Sequence, residues 1–136
     1  MKKFDNFLGS LTVLQKADKN FAEKDEIYRT GVIGQFSLTF ELAWKALQET
    51  LREHGVVEAE TGSPREILKL GFAHSFLDDE EIWLSMLKSR NLSIHIYSEV
   101  DAQTLVSLVF EKYIPAFARF SKKLKPKIAE IEENTN

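Results

Sequence analysis

The chain has 136 residues, the size of one domain with its own core, and its 43% hydrophobic residues exclude a disordered protein. It has no cysteine, which excludes disulfides and thiol nucleophiles, and its three histidines lack the short spacings of a histidine-based metal site. No apolar run could span a membrane and no signal peptide is visible, so we expect a cytoplasmic protein. We also expect that it uses no metal and no cofactor. The formal net charge of -3 gives no general basic field for a long nucleic acid, so any RNA contact must be local, in a cleft, or shared with a second subunit.

The first two predicted elements are helices separated by a short turn. Apolar residues at helical spacings predict helix one over about residues 2–21, followed by a turn at residues 20–24. Asp25 is a candidate N-cap for helix two, which we predict to run to about His54, with Gly55 in the left-handed position that ends it. Helix two is the longest predicted element, so we expect it to be the spine of the domain.

Two capping sequences mark the next elements. The Ser-Pro-Arg-Glu sequence at residues 63–66 is a capping box that predicts a short helix three, over about residues 64–70, which Gly71 ends or bends. The acidic residues 78–81 complement the positive end of a helix dipole and mark the start of helix four. The apolar periodicity predicts that helix four continues to about Ser98.

The last long segment is also helical by its apolar spacing. We predict Asp101 as its cap and a kink near residues 111–114, because Pro115 removes a backbone hydrogen bond. We expect one domain over residues 2–124 and a charged C-terminal tail over residues 125–136. The whole chain is predicted to be all-α, an up-and-down four-helix bundle with one extra short helix.

A polar cluster stands out on helix four. If the helix is continuous, Arg90 lies on a stripe that faces a partner helix, where a leucine or isoleucine is expected. A cation on a packing stripe is costly unless it is paired, hydrated or used. Arg90 therefore either pairs with a carboxylate of another helix or belongs to a polar pocket suited to a phosphodiester or nucleotide. The stripe, at spacings of 4, 3, 4 and 3, consists of Trp83, Leu87, Arg90, Ile94 and Tyr97.

Four segments, in this order along the chain, resemble the nucleotidyltransferase substrate-binding proteins, small HEPN-superfamily bundles close to the HepT-type toxins. The most specific feature is the Arg-x4-His-x-Tyr sequence, which Arg90, His95 and Tyr97 match in full. The resemblance covers about residues 4–124 and implies an HEPN-like fold. The four segments are residues 36–45, 63–66, 78–83 and 90–99.

The resemblance implies a function and partners. Such proteins are typically homodimers in which the Arg and His of both subunits approach one another, and they are encoded beside a small nucleotidyltransferase that binds them. In the toxin–antitoxin branch the HEPN protein is a metal-independent ribonuclease, and its partner silences it by transferring AMP to the motif tyrosine, here Tyr97. Catalysis would then fall to Arg90 and His95.

The chemistry of these side chains agrees with that role. His95 can act as general base or acid near neutral pH, and Arg90 can hold a phosphate by a bidentate fork. Asn91 can orient the imidazole or donate to a phosphate oxygen. Two other hypotheses stay open: a non-catalytic subunit that binds a nucleotide or the substrate of a nucleotidyltransferase, and a structural protein in which Arg90 forms an ion pair and nothing more.

Overall fold

The computed structural model describes residues 1–93 and 98–135, with side chains up to residue 133, and within these ranges it contains helices and no strand. A 3-10 turn (Val57–Glu60) precedes α4, and a π-helical turn (Val109–Tyr113) joins α6 to α7. The prediction of an all-α bundle is confirmed. The α-helices are α1 (Lys2–Gln15), α2 (Lys19–Lys24), α3 (Glu26–Glu53), α4 (Pro64–Ala73), α5 (Glu80–Leu92), α6 (Glu99–Leu108) and α7 (Ile114–Thr135).

Helix α3 is the spine of the bundle, as its length predicts. It packs against all the other α-helices of the described chain. The core around it is rich in buried aromatic rings, among them Phe36, Phe40, Trp83 and Phe117. Burial of apolar surface, to which these rings contribute, is the main favourable contribution to folding. None of the described helices combines the length and the apolar composition that a membrane span requires.

The capping residues predicted for α3 and α4 are confirmed. The side chain of Asp25 accepts a hydrogen bond from the backbone N–H of Tyr28, and Gly55 follows α3 with a φ of 85°. At the start of α4 both bonds of the capping box between Ser63 and Glu66 are formed. These local signals satisfy helix-end groups without help from the rest of the fold, which is why the sequence predicts them well.

The prediction of one helix over residues 2–21 is wrong. Helix α1 ends at Gln15, and α2 starts after Asp18, whose side chain accepts from the backbone N–H of Phe21. An aspartate that caps a new helix competes with continuation of the preceding one. The apolar spacing continued across this break, so the helical period alone did not reveal it.

Gly71 does not end α4, and it lies where α4 packs against α3. The helix continues past it to Ala73, and Gly71 is buried. A Cβ atom at this position would lie 2.7 Å from Cδ2 of Leu47, closer than the two carbons can approach. The glycine therefore leaves room for the side chain of Leu47 where α3 and α4 meet.

Helix four is shorter than predicted. Helix α5 ends at Leu92, and Ser98 has an extended backbone, with a φ of -95° and a ψ of 145°. The side chain of Ser98 accepts from the backbone N–H of Asp101, so Ser98 is the cap of α6 and the prediction of Asp101 as that cap is wrong. An N-cap serine at this position cannot also be the last residue of α5.

The last helix contains an irregular turn just before Pro115, close to the predicted kink. Over Val109–Tyr113 the backbone forms a π-helical turn, and the N–H of Ile114 donates to the carbonyl of Val109. The wider π-helical turn lets the helix continue although Pro115 has no backbone N–H to donate. Beyond it α7 continues to Thr135, through most of the segment expected as a charged tail, and Ile128 is buried.

Candidate functional site

Arg90 lies in the last turn of α5 and faces α3. Its Nη1 is 3.5 Å from Oε2 of Glu41, and its guanidinium carbon is 5.7 Å from the centre of the Phe40 ring. The Arg90 side chain keeps 29% of its surface exposed. The cation is thus held against the core by a carboxylate and an aromatic face while one side remains accessible to solvent.

Glu41 is the carboxylate that positions Arg90. Its Oε2 accepts a hydrogen bond from the indole N–H of Trp44 at 3.0 Å, and its Oε1 lies 3.4 Å from Nζ of Lys45. The four-residue spacing of Glu41 and Lys45 predicts their pair. The sequence predicted a carboxylate of another helix as one possible partner of Arg90, and Glu41 is such a partner. Its identity was not predicted, because no local pattern relates the two helices. One carboxylate shared by two cations leaves a net positive charge here.

The Nε of Arg90 has an unusual environment. It is buried, and among the residues that the structure describes it has no hydrogen-bond acceptor. A buried donor without an acceptor costs about 1–3 kcal/mol. The described part of the fold therefore does not satisfy every hydrogen-bond donor of this guanidinium.

A broad groove opens beside Arg90, between the N-terminal end of α4 and the outer face of α5. Its volume is about 980 Å³. Cationic, amide and hydroxyl groups lie along it together with leucine side chains, so it offers both polar and apolar contacts to a ligand. The residues that line it are Ser63, Pro64, Arg65, Glu81, Leu84, Ser85, Leu87, Lys88, Arg90, Asn91 and Leu92.

The structure brings together two of the four predicted site residues. Arg90 and Asn91 both line the groove, and Asn91 is exposed. His95 and Tyr97 lie outside the described residues. In the sequence they lie between Ser93 and Ser98, a few residues after Arg90.

The arrangement is suited to hold an anion. Arg90 does not form a bidentate pair of hydrogen bonds with Glu41. Its guanidinium N–H groups can therefore still donate to a phosphate. Within residues 1–93 and 98–135 no group of three or more His, Asp or Glu side chains is placed to hold a metal ion. The residues at hand favour binding of a phosphate group through charge and hydrogen bonds.

The fold and the groove define a class of small all-α proteins that carry an arginine at the end of a helix beside an open groove with both polar and apolar walls. Within this class, the sequence identifies the family of the protein. A family model described as "Nucleotidyltransferase substrate binding protein like" matches residues 2–126, and the chain belongs to this family. The resemblance found from the motifs is thereby confirmed.

A solved structure supports the same fold. A crystal structure of a protein from Thermus thermophilus superimposes with a TM-score of 0.68 at 26% sequence identity, and the match covers 92% of this chain and 98% of that chain. No curated protein matches the sequence. The two chains therefore share a common architecture over nearly their full lengths.

Proposed function

We propose that this protein is the HEPN-type partner of a small nucleotidyltransferase, and that it cleaves RNA without a metal until AMP transfer to Tyr97 silences it. The family to which the chain belongs supports the association with a nucleotidyltransferase. The observation that carries the site is Arg90, a half-buried cation beside an open groove with an unpaired Nε.

In this proposal each site residue has one role. Arg90 binds the phosphate that is attacked and stabilises the charge that develops on it. His95 removes the proton from the attacking 2′-hydroxyl or protonates the leaving oxygen. A homodimer supplies two histidines, one for each proton transfer. Asn91 donates to a phosphate oxygen or orients the imidazole. The roles of His95 and Tyr97 rest on the Arg-x4-His-x-Tyr sequence.

A second candidate function uses the same site for binding without catalysis. The chain would be a non-catalytic subunit whose groove binds a nucleotide or the substrate of the nucleotidyltransferase, with Arg90 as its phosphate contact. The description of the family as substrate-binding favours this candidate. Cleavage of RNA by the purified protein alone separates the two proposals.

The cleavage test uses a single-stranded RNA with EDTA in the buffer. We expect the purified protein to cut it, and we expect Arg90→Ala and His95→Ala to lower the rate by at least about 100-fold. Arg52→Ala is the control. It removes an exposed arginine in the last turn of α3 that pairs with Glu60, and it should leave the rate unchanged. Equal cleavage by all four proteins, or none by any, would contradict the ribonuclease proposal.

The modification test uses the partner nucleotidyltransferase and ATP. The phenol oxygen of Tyr97 would bond to the α-phosphorus of ATP, pyrophosphate would leave, and the phenolic proton would pass to solvent. We expect mass spectrometry to place one AMP on the peptide that carries Tyr97, and cleavage to stop. The two other tyrosines are internal controls, since Tyr113 is buried on Ser85 and Ser89 and the Tyr28 hydroxyl accepts from the backbone of Asp18. AMP on either of these, or on none, would contradict the regulation.

A further inference from the structure

We infer that the groove between α4 and α5 is a track for a single-stranded polyanion, in which Arg65 and Lys88 bind phosphates that flank the one at Arg90. This inference rests on the proposed function, because it takes the polyanion to be the RNA that reaches Arg90. It adds two phosphate-binding residues that the Arg-x4-His-x-Tyr sequence does not contain.

The two walls of the groove place the cations around one space. Arg65 lies in the first turn of α4, and Lys88 lies on α5, two residues before Arg90. Helices α4 and α5 pack against each other, and all three cations line the groove. A ligand that lies in the groove therefore meets positive charge from both sides.

Arg65 and Lys88 are free to bind a ligand. Both are exposed, and within the described part of the chain neither forms an ion pair or a hydrogen bond through its side chain. The four other arginines of the chain, at positions 29, 52, 90 and 119, each lie within 4 Å of a carboxylate. Arg65 thus differs from the chain's other guanidinium groups in having no carboxylate partner among the described residues.

The charge of the groove opposes the charge of the chain. The formal net charge is -3, yet the groove has three cationic side chains and one carboxylate, Glu81. A local excess of positive charge on an acidic protein attracts anions to that place and not to the rest of the surface. The groove therefore has the charge distribution that a polyanion track needs.

The apolar side chains of the groove suit bases better than they suit a free phosphate. Pro64, Leu84, Leu87 and Leu92 line it together with the cations. Single-stranded nucleic acids bind by a basic path for the backbone and apolar or aromatic surfaces for the bases. A volume of about 980 Å³ is at the upper end of pockets for small ligands, so it has room for more than one nucleotide.

The test measures binding without cleavage. A fluorescent 2′-O-methyl oligonucleotide cannot be cut by 2′-hydroxyl attack, and its anisotropy reports binding to the purified protein at several salt concentrations. Arg65→Gln, Lys88→Gln and the double variant each remove one or two positive charges from exposed, unpaired positions. Lys24→Gln removes one charge from α2, outside the groove, and is the matched control.

We expect the double variant to bind the oligonucleotide roughly tenfold or more weakly, and the slope of log K against log salt to fall by about 1.4, about 0.7 for each lost phosphate contact. Lys24→Gln should change affinity less than about twofold. Circular dichroism spectra and urea midpoints equal to those of the unmodified protein would show that the variants fold.

Three outcomes would overturn the track. The double variant could bind with unchanged slope, Lys24→Gln could weaken binding as much, or the unmodified protein could fail to bind while Arg65→Gln and Lys88→Gln weaken its complex with the nucleotidyltransferase. The last outcome assigns the groove to a protein interface. If the oligonucleotide binds through Arg65 and Lys88 but the protein does not cleave RNA, the ribonuclease proposal is contradicted. The proposed track for a polyanion is not contradicted by that result.

Discussion

Arg29 and Arg90 each place Nη1 3.5 Å from a glutamate oxygen, but their other contacts differ. Arg29 is 2% exposed, its Nε donates to the carbonyl of Ala22, and its Nη2 donates to the carbonyl of Glu23. Its third contact, Glu99, lies at the start of α6. The guanidinium of Arg29 thus links α2, α3 and α6, and each of its three nitrogens donates to an acceptor within the fold.

Arg90 is the contrasting case. Its side chain is 29% exposed, it shares Glu41 with Lys45, and its buried Nε has no acceptor among the described residues. Both arginines have a glutamate oxygen at 3.5 Å, so the ion pair does not distinguish them. The distinction lies in whether the remaining donors are satisfied by the fold.

The largest effect on stability should come from Arg29→Met. The change leaves two carbonyl acceptors at the end of α2 without their donors and removes the link to Glu99, so we expect the free energy of unfolding to fall by about 3 kcal/mol. Urea denaturation measures it. Arg52→Met on the same helix, an exposed arginine paired with Glu60 at 3.5 Å, should cost less than about 0.5 kcal/mol. Equal losses for the two variants would show that Arg29 is not a structural link.

Arg90→Met should have the opposite profile. It removes a charge and an unsatisfied donor together, so the free energy of unfolding should change by less than about 1 kcal/mol in either direction. RNA cleavage should fall by at least about 100-fold, because the phosphate loses its cation. A loss of stability as large as that of Arg29→Met, with cleavage proportional to the folded fraction, would make Arg90 a structural residue.

Glu41→Gln should separate positioning from binding. A glutamine carbonyl can still accept from Trp44, so the loss of stability should be about 0.5–1 kcal/mol. Without a carboxylate that competes for the guanidinium, Arg90 should bind the uncleavable oligonucleotide more tightly, yet kcat should fall by roughly tenfold because Arg90 is less well placed. Lys45→Met, which removes the other cation on the same carboxylate, is the control and should leave kcat unchanged. Parallel losses of binding and kcat would contradict a positioning role for Glu41.

The smallest effect concerns a cation at the surface. In a chain with a free amino group at Met1, that group donates to Oε1 of Glu132 at 2.9 Å, and this hydrogen bond raises the pKa of the amino group above 8.0. A raised pKa in the folded state stabilises the protein fully below the unfolded pKa, and the gain is lost as the pH rises through the folded pKa. Glu132 is 59% exposed, so the gain should be about 0.3 kcal/mol.

The measurement for this pair is urea denaturation of the unmodified protein and Glu132→Gln at several pH values. The difference between them should be present at pH 7 and shrink above pH 8, as the amino group loses its proton. A difference that grows with pH would mean that another group is responsible.

Much of the fold follows from local signals in the sequence. The cap at Asp25, the left-handed Gly55 and the capping box at residues 63–66 each satisfy backbone groups within a few residues, so no tertiary information is needed. The irregular turn before Pro115 follows in the same way from a missing N–H. These features fix where α3 and α4 begin and where the last helix is distorted.

The features that depend on contacts between helices were predicted less well. The apolar period runs through Asp18 and on beyond Leu92, although a capping side chain starts a new helix after Asp18 and α5 ends at Leu92. For the site, the sequence predicted Arg90 and Asn91, which both line the groove, but nothing local indicated that Glu41 pairs with Arg90 or that Arg65 shares the groove. Such partners are set by packing between helices, which the helical period does not specify.

The most direct test of the contrast between the two arginines is NMR of their Nε–H groups in ¹⁵N-labelled protein, titrated with the 2′-O-methyl oligonucleotide. Loss of a signal in Arg90→Lys or Arg29→Lys assigns each group. We predict that the Arg29 signal, already bonded to Ala22, stays in place, while the Arg90 signal shifts as phosphate binds the exposed part of the guanidinium. An Arg90 signal that does not move at saturating oligonucleotide would contradict the claim that this guanidinium meets phosphate.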